Sequence, residues 1–294
     1  MKFSVVIVNY DSWPYTLRCV ESLLATEYGE VEITVVDNDQ RPVPNLPPAV
    51  NLIKNEENVG FARAHNRGIL ASSGECVVFA NPDTLVGRGF LDHLADFFTE
   101  HPDAGIAGPR ILDGSGAVQL SARKEVGFIS GLMGRTSLLT RLLPKSAAVR
   151  RLFPAADASG GPATVDWVSG ACMAARREML EGIGPFDERF FMYFEDADLC
   201  RRARESGWLV HYLPGVEVVH HTGKSSRSKP LATWRLHKSA FLYHRKHGPH
   251  GPLGVYSLVV LLGLTARALA KLVASQAAGV RHRVSAKGEK DDGW

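Results

Sequence analysis

Four cysteines in 294 residues, Cys19, Cys76, Cys172 and Cys200, form no CxxC pair and no zinc-ligand spacing. A disulfide-stapled fold and a structural zinc module are thereby excluded, and buried reduced thiols in a cytosolic protein are expected. The chain contains no G-x-G-x-x-G and no G-x-x-x-x-G-K-[ST], which removes support for a dinucleotide fold and for a P-loop. Long apolar runs are scarce too. Leu253 to Thr265 is mostly apolar, but a membrane-spanning helix needs ~20 such residues. The start, MKFSVVIVNYDSW, reaches Asn9 and Asp11 too soon for a signal peptide.

Net charge is also small, +3, but it is unevenly spread. Residues 224–294 hold 13 of the 34 Lys+Arg and only 3 of the 31 Asp+Glu, a net of +10. The preceding residues keep 21 basic and 28 acidic side chains, a net of −7. A basic C-terminal segment on an acidic body points to an anionic surface as partner, a membrane or a nucleic acid. The segment carries no nucleic-acid reading motif, and Arg267 and Lys271 flank the apolar run, so no nucleic-acid partner is expected. An interfacial helix with basic flanks fits, and the competing reading is an ordinary buried helix. Residues 281–294 read as a disordered tail.

Apolar content is 45%, enough for a sizeable core. Phe3 to Val8, Ile33 to Val36 and Cys76 to Ala80 are short apolar runs of the kind covered on both faces. Helical patterns intervene, with Leu17, Val20 and Leu24 on one stripe, Phe61 to Ala71 after Asn58-Val59-Gly60, and Phe90 to Phe98. The alternation predicts an α/β fold with a mainly parallel central sheet flanked by helices. Leu52-Ile53, Val118 to Arg123, Val165 to Ala174 and Val216 to Val219 are further strand candidates, and helices are expected over 177–183 and 195–205. Residues 125–165 lack a clear period and read as a mobile insertion or lid.

Asn9, Asp37, Asn81 and Asp83 each follow a predicted strand. In an open α/β sheet those positions share the carboxyl edge, where ligands bind. In Asn81-Pro82-Asp83 a carboxylate after a buried strand can hold a divalent cation, Mg²⁺ or Mn²⁺, bridging a diphosphate. The competing reading is a plain turn. Asp37 can accept from a base N–H or a ribose hydroxyl, and His220-His221 can complete a metal site or bind phosphate. Residues 186–199 mix five carboxylates with five aromatic rings and a methionine, without helical segregation of charge. A carboxylate held beside rings is a candidate general base; alternatively Glu195 and Asp196 serve a helix N-terminus.

Together these motifs resemble one family. The matching segments are Val5-Val-Ile-Val-Asn-Tyr10, Val36-Asp37-Asn38, Asn58-x-Gly60-Phe61-Ala62-x-x-x-Asn66-x-Gly68 and Asn81-Pro82-Asp83. They continue with Trp167-x-Ser169-Gly170, Gly184-x-Phe186-Asp187-Glu188-x-Phe190-Phe191, Glu195-Asp196-x-Asp198-Leu199-x-x-Arg202 and Val219-His220-His221. Their order and spacing over residues 1–225 resemble inverting glycosyltransferases of family 2, with the GT-A nucleotide-diphospho-sugar fold. Ser121-Ala122-Arg123 and the basic C-terminus look most like bacterial rhamnosyltransferases acting on polyprenyl-diphosphate-linked GlcNAc.

The resemblance implies a nucleotide-diphospho-sugar donor, dTDP-rhamnose, and a glycan or polyprenyl-diphosphate-linked acceptor. UDP-galactofuranose or UDP-GlcNAc as donor, and a non-catalytic nucleotide-sugar scaffold, remain alternatives. It makes Asp196 the general base, with Glu195 as the other candidate. It assigns Val8, Asn9, Asp37, Asn38, Arg63, Asn66, Asn81 and Asp83 to the donor, and Asp83 with His220 to a divalent cation. Trp167, Ser169, Gly170, Arg123 and Arg202 fall to the acceptor or sugar. Many members carry Asp-x-Asp where this chain has Asn81-Pro82-Asp83, leaving Asp83 as the strong ligand there. The expected organisation is a GT-A domain over 1–225, split near 115 into donor and acceptor halves. A C-terminal helical extension over 226–280 follows, peripheral at the inner face of the cell membrane. The motifs specify no oligomeric state.

Overall fold

The computed structural model describes residues 1–123, 161–221 and 229–248, with Leu262, Gly263 and Thr265. The expected insertion over 125–165 and the Leu253–Thr265 run fall mostly outside these residues. Strand β1 (Phe3–Asn9) is buried along its whole length and pairs in parallel with β2 (Val31–Asp37) and β4 (Cys76–Ala80). β3 (Val50–Lys54) extends the sheet beyond β2. On the other side follow β10 (Cys172–Arg176), β6 (Ala104–Leu112), β11 (Leu209–His220) and β5 (Thr84–Val86). β10 runs antiparallel to both neighbours, β5 is antiparallel to β11, and the remaining ladders of this path are parallel. The short β8 (Ala163–Thr164) pairs β11, and β7 (Ala122–Arg123) with β9 (Trp167–Val168) forms a separate two-stranded sheet.

Side-chain alternation along β1 divides the core into two layers. Phe3, Val5 and Ile7 join α1 (Trp13–Leu24) and α3 (Phe90–Glu100) through Val20, Leu23, Leu91 and Leu94. Val6 and Val8 face the opposite layer, with α2 (Phe61–Leu70), α4 (Arg177–Ile183) and α5 (Glu195–Glu205) contributing Ala64, Met179, Leu180 and Leu199. Each fully buried Val, Leu, Ile or Phe contributes roughly 1.5–3 kcal/mol. A Cβ at Gly68 would collide with Val6 and come within 3.3 Å of Val36, so glycine lets α2 lie directly on β1 and β2.

β6 was not expected. Its Ala-Gly-Ile-Ala-Gly-Pro-Arg run carries two glycines and a proline, which disfavour a strand interior. The structure uses them. Gly105 lies against Met179 and Trp208, and Gly108 against Val168. Pro109 sits opposite Leu213, where the register shifts before Glu217. The Val165–Ala174 candidate is also two strands rather than one, broken at Ser169-Gly170-Ala171. Of Val118–Arg123 only Ala122–Arg123 is strand, with Val118 in an isolated bridge to Leu112.

Contacts divide the chain into two units. The first is Met1–Phe191 with Glu195–Ser225, and the second is Met192–Phe194 with Ser226–Trp294. In the second, α6 (Lys229–His247) donates from Ser239 Oγ to the Met192 carbonyl at 2.8 Å, and Tyr243 lies 5.4 Å from the Phe194 ring. No helix among the described residues is long and apolar enough to cross a membrane.

Candidate active site

The parallel strands β1, β2 and β4 all end at the same edge, and so do β6 and β11. The edge therefore collects Asn9, Asp37, the Asn81–Asp83 turn and His220. The antiparallel β10 begins there, with Cys172 opposite Ala80.

At the β1–β2 end, Asn9 Nδ2 donates to Asp37 Oδ1 at 2.7 Å. Asn9 Oδ1 accepts from Ser12 Oγ and Thr16 Oγ1, so its amide is held from three directions. Asp37 is fully buried; Oδ1 also accepts from the Asp39 N–H, while Oδ2 has no hydrogen-bond partner. Burial pushes the Asp37 carboxyl above the usual carboxylate range, against the lowering effect of its two donors. An orphaned buried acceptor at a strand end is suited to an N–H donor from a ligand. Beside it, Arg41 pairs with both Asp11 and Asp39, tying the loops after β1 and β2 together. Sequence reading missed this pair of loops, although Asp11 and Asp39 lie two residues beyond Asn9 and Asp37 in their respective strands' exits.

At the next strand end, Asp83 is buried and its Oδ1 receives no hydrogen bond. His220 Nε2 lies 3.2 Å from that oxygen and 3.3 Å from Asn81 Nδ2. The His221 N–H donates to the Asp83 carbonyl, locking β11 to the turn. A buried carboxylate oxygen without a donor, facing an imidazole nitrogen, is a donor set that fits a divalent cation. No group of three or more His, Cys, Asp or Glu suited to a metal occurs among the described residues.

The Ser169-Gly170-Ala171 break connects this turn to α5. The Ala171 carbonyl accepts from the Asn81 N–H at 2.9 Å and from Thr84 Oγ1 at 3.1 Å. The Gly170 N–H donates to Asp196 Oδ2 at 2.9 Å. Asp196 is half-buried, and its other oxygen accepts from the Ala197 N–H. The two carboxylates of the pair differ sharply. Glu195 is buried, Oε2 has no partner, and burial together with the neighbouring Asp196 charge pushes its carboxyl well up. Glu195 is thus enclosed with its carboxyl pushed up, while Asp196 is only half-buried. The approach to α5 is strained: Tyr193 and Phe194 have φ of 72° and 69°, a left-handed conformation that bulky residues rarely adopt.

Several residues expected at the ligand brace neighbouring elements. Arg202, expected at the sugar, donates to buried Asp198 and to the carbonyls of Ile183, Gly184 and Pro185, so it caps the C-terminus of α4. Asn66 exchanges two hydrogen bonds with the Phe186 backbone and donates to Glu188. Arg63 pairs with Glu188 at 2.8 Å on the surface. Asn38 Nδ2 donates to the Gly60 carbonyl, and its Oδ1 accepts from Asn55. The Val8 side chain is in the core. These contacts bind Phe186–Phe191 to α2. Its first N–H, on Phe61, meets the Phe191 carbonyl at 2.7 Å, where a Cβ on Gly60 would fall within 2.6 Å of that same oxygen. Trp167 is half-buried against the second core layer, with the Arg123 guanidinium 5.5 Å over its ring. Ser169 N–H bonds the Ser121 carbonyl at 2.8 Å.

Residues 1–238 match the model of the glycosyltransferase-like family 2. The chain belongs to glycosyltransferase family 2. A relative from Mycobacterium tuberculosis, N-acetylglucosaminyl-diphospho-decaprenol L-rhamnosyltransferase, is 36% identical over 81% of this chain and 82% of its own length. The Shigella flexneri dTDP-rhamnosyl transferase RfbF is 26% identical, covering 84% and 81% respectively. Among solved structures, the Pyrobaculum calidifontis mannosyltransferase in complex with GDP-Man and Mn²⁺ aligns with a TM-score of 0.56 at 19% identity, over 97% of this chain and 79% of that one. Staphylococcus aureus TarS 1–349 in complex with UDP-GlcNAc gives 0.55 at 17%, over 90% and 72%. The fold is that of the GT-A glycosyltransferases, and this family 2 chain is a glycosyltransferase.

Proposed function

We propose that this family 2 enzyme transfers L-rhamnose from dTDP-rhamnose, with inversion, to a hydroxyl of a polyprenyl-diphosphate-linked GlcNAc in cell-wall assembly. The observation that carries the reading is the short connection Asn81–Ala171–Gly170–Asp196, which joins the diphosphate turn to a fixed carboxylate. The rhamnosyltransferase names of its relatives favour the sugar and the acceptor. Residues 1–115 form the donor half and 116–225 the acceptor half of the transferase domain. Asp37 Oδ2 accepts from the nucleobase N–H. Asp83 and His220 would hold Mg²⁺ or Mn²⁺, which would supply charge neutralisation to the diphosphate. Asp196 takes the proton of the acceptor hydroxyl as its oxygen attacks the anomeric carbon from the face opposite the leaving group. A sugar hydroxyl is a poor nucleophile at neutral pH, and such a base contributes ~10²–10⁴-fold. Glu195 is buried with its Oε2 enclosed, so Asp196 is the carboxylate offered to the acceptor. Trp167 and Arg123 border the acceptor side. The enzyme works as a peripheral protein at the inner face of the cell membrane, where the lipid-linked acceptor resides.

The test is turnover of purified full-length protein with dTDP-rhamnose, UDP-GlcNAc and UDP-galactofuranose against a short-chain GlcNAc-diphospholipid, with and without Mn²⁺. The expected result is product with dTDP-rhamnose alone, metal-dependent and of inverted anomeric configuration by NMR. Turnover of another donor instead would replace the sugar assignment, and retention of configuration would remove Asp196 from its role.

A further inference from the structure

Gln119 lies on the irregular stretch after β6 and was not singled out by any motif. Its position is nevertheless fixed. Asp113 Oδ1 accepts from the Ser115 N–H, Ser115 Oγ and the Ala117 N–H, closing the turn, and the Gln119 N–H donates to the Ile111 carbonyl at 2.7 Å. The Gln119 side chain then meets His220 twice. Nε2 donates to the His220 carbonyl at 2.9 Å, and Oε1 lies 3.3 Å from His220 Nδ1.

The two contacts determine each other. A backbone carbonyl only accepts, so the amide nitrogen of Gln119 must face it, and the amide oxygen must face the ring. An oxygen facing Nδ1 requires that Nδ1 carry the proton. In neutral His220 the lone pair is therefore on Nε2, which points at Asn81 Nδ2, 3.3 Å away, and at the donorless Asp83 Oδ1, 3.2 Å away. Two acceptors facing each other are unfavourable unless a cation or a second proton on the ring comes between them. The opposite tautomer would place an N–H there and satisfy Asp83 internally.

Resting on the metal role proposed above, we infer that Gln119 is a positioning residue: it holds His220 as the Nδ1–H tautomer and so keeps Nε2 and Asp83 Oδ1 open toward a divalent cation. Partners of this kind orient a ligating imidazole and raise its basicity, and their loss typically costs ~10–100-fold in metal affinity.

The first measurement needs no substitution. Long-range ¹H–¹⁵N spectra of the ¹⁵N-histidine wild-type protein at about pH 8, with His220 identified by its absence in His220→Ala, should show the Nδ1–H pattern. An Nε2–H pattern, or a doubly protonated ring, overturns the inference. The second is Mn²⁺ affinity in the presence of dTDP, read from the EPR signal of the free ion. Gln119→Leu should weaken Mn²⁺ about tenfold or more. Gln119→Leu should cost nothing further in a His220→Ala background. Unchanged affinity in Gln119→Leu, or an equal loss in both backgrounds, overturns the role of Gln119. Absence of Mn²⁺ binding by the wild type would instead overturn the metal reading, a separate result.

Discussion

The Gly170 N–H and the Asp196 carboxylate, 2.9 Å apart, join a strand break to the first turn of a helix. The bond orients Oδ2, while Oδ1 accepts from the Ala197 N–H. Its neighbour Glu195 is buried, and burial together with the adjacent Asp196 charge pushes its carboxyl well up. Asp196→Asn keeps the shape and removes the base. We expect kcat to fall ~10²-fold or more while donor affinity by calorimetry changes little. A parallel loss of donor affinity would point to a structural role instead.

Gly170→Ala probes the same bond from its other end. An added Cβ would stand 3.3 Å from Asp196 Cβ and 3.5 Å from Oδ2, close enough that Asp196 must shift by a few tenths of an ångström. Thermal stability should shift by less than ~1 kcal/mol, because a single side chain can give way. Turnover should drop about tenfold, since small misplacements of a catalytic group are costly. Unaltered kcat would show that the Gly170 contact does not set the orientation of Asp196.

The buried acid makes a pH prediction. The folded-state pKa of Glu195 is raised above its unfolded value, so the folded protein binds more protons. Its contribution to stability is therefore fully present below the unfolded value near 4.5 and is lost as pH rises through the folded value. Glu195→Gln removes that loss. In urea melts the variant should gain stability relative to wild type as pH increases from 5 to 9, while retaining far more turnover than Asp196→Asn. A pH-independent difference would mean that Glu195 is charged in the folded state.

Arg202→Ala should act on the fold. Asp198 is fully buried, and Arg202 supplies it with a 2.8 Å charge-assisted bond while satisfying three carbonyls at the end of α4. Removing one partner of such a pair costs about 3–5 kcal/mol. We expect a loss of that order in urea denaturation.

That last residue illustrates what the sequence conveyed and what it did not. β1, β2 and β4 were legible because each is a continuous apolar run ending in a polar residue, and the structure brings those endings to one sheet edge. β6 was not, because Gly105, Gly108 and Pro109 are there for contacts with other elements and read locally as breakers. Motif spacing identified Asn66 and Arg202 but could not separate ligand contact from bracing, since both roles require the same donors. Gln119 belongs to no pattern; its role exists only through the closeness of β11 to the turn after β6.

The C-terminal charge supplies the final prediction. A net of +10 over residues 224–294, around the apolar Leu253–Thr265 run, should bring the full-length protein to an anionic surface. Basic residues near such a surface contribute ~1 kcal/mol each, an attraction that falls off within a Debye length of about 8 Å at physiological salt. Full-length protein should co-sediment with phosphatidylglycerol-containing liposomes at low salt and be released by ~1 M NaCl, at which that length shrinks to about 3 Å. Replacing Arg267 and Lys271 by alanine should lower partitioning by roughly tenfold or more at low salt, with donor affinity unchanged, because all the donor-site residues precede residue 225. If instead Leu253–Thr265 packs as an ordinary core helix, the wild type will ignore both anionic and neutral liposomes. Binding that survives high salt would assign the attachment to the apolar run rather than to the charge.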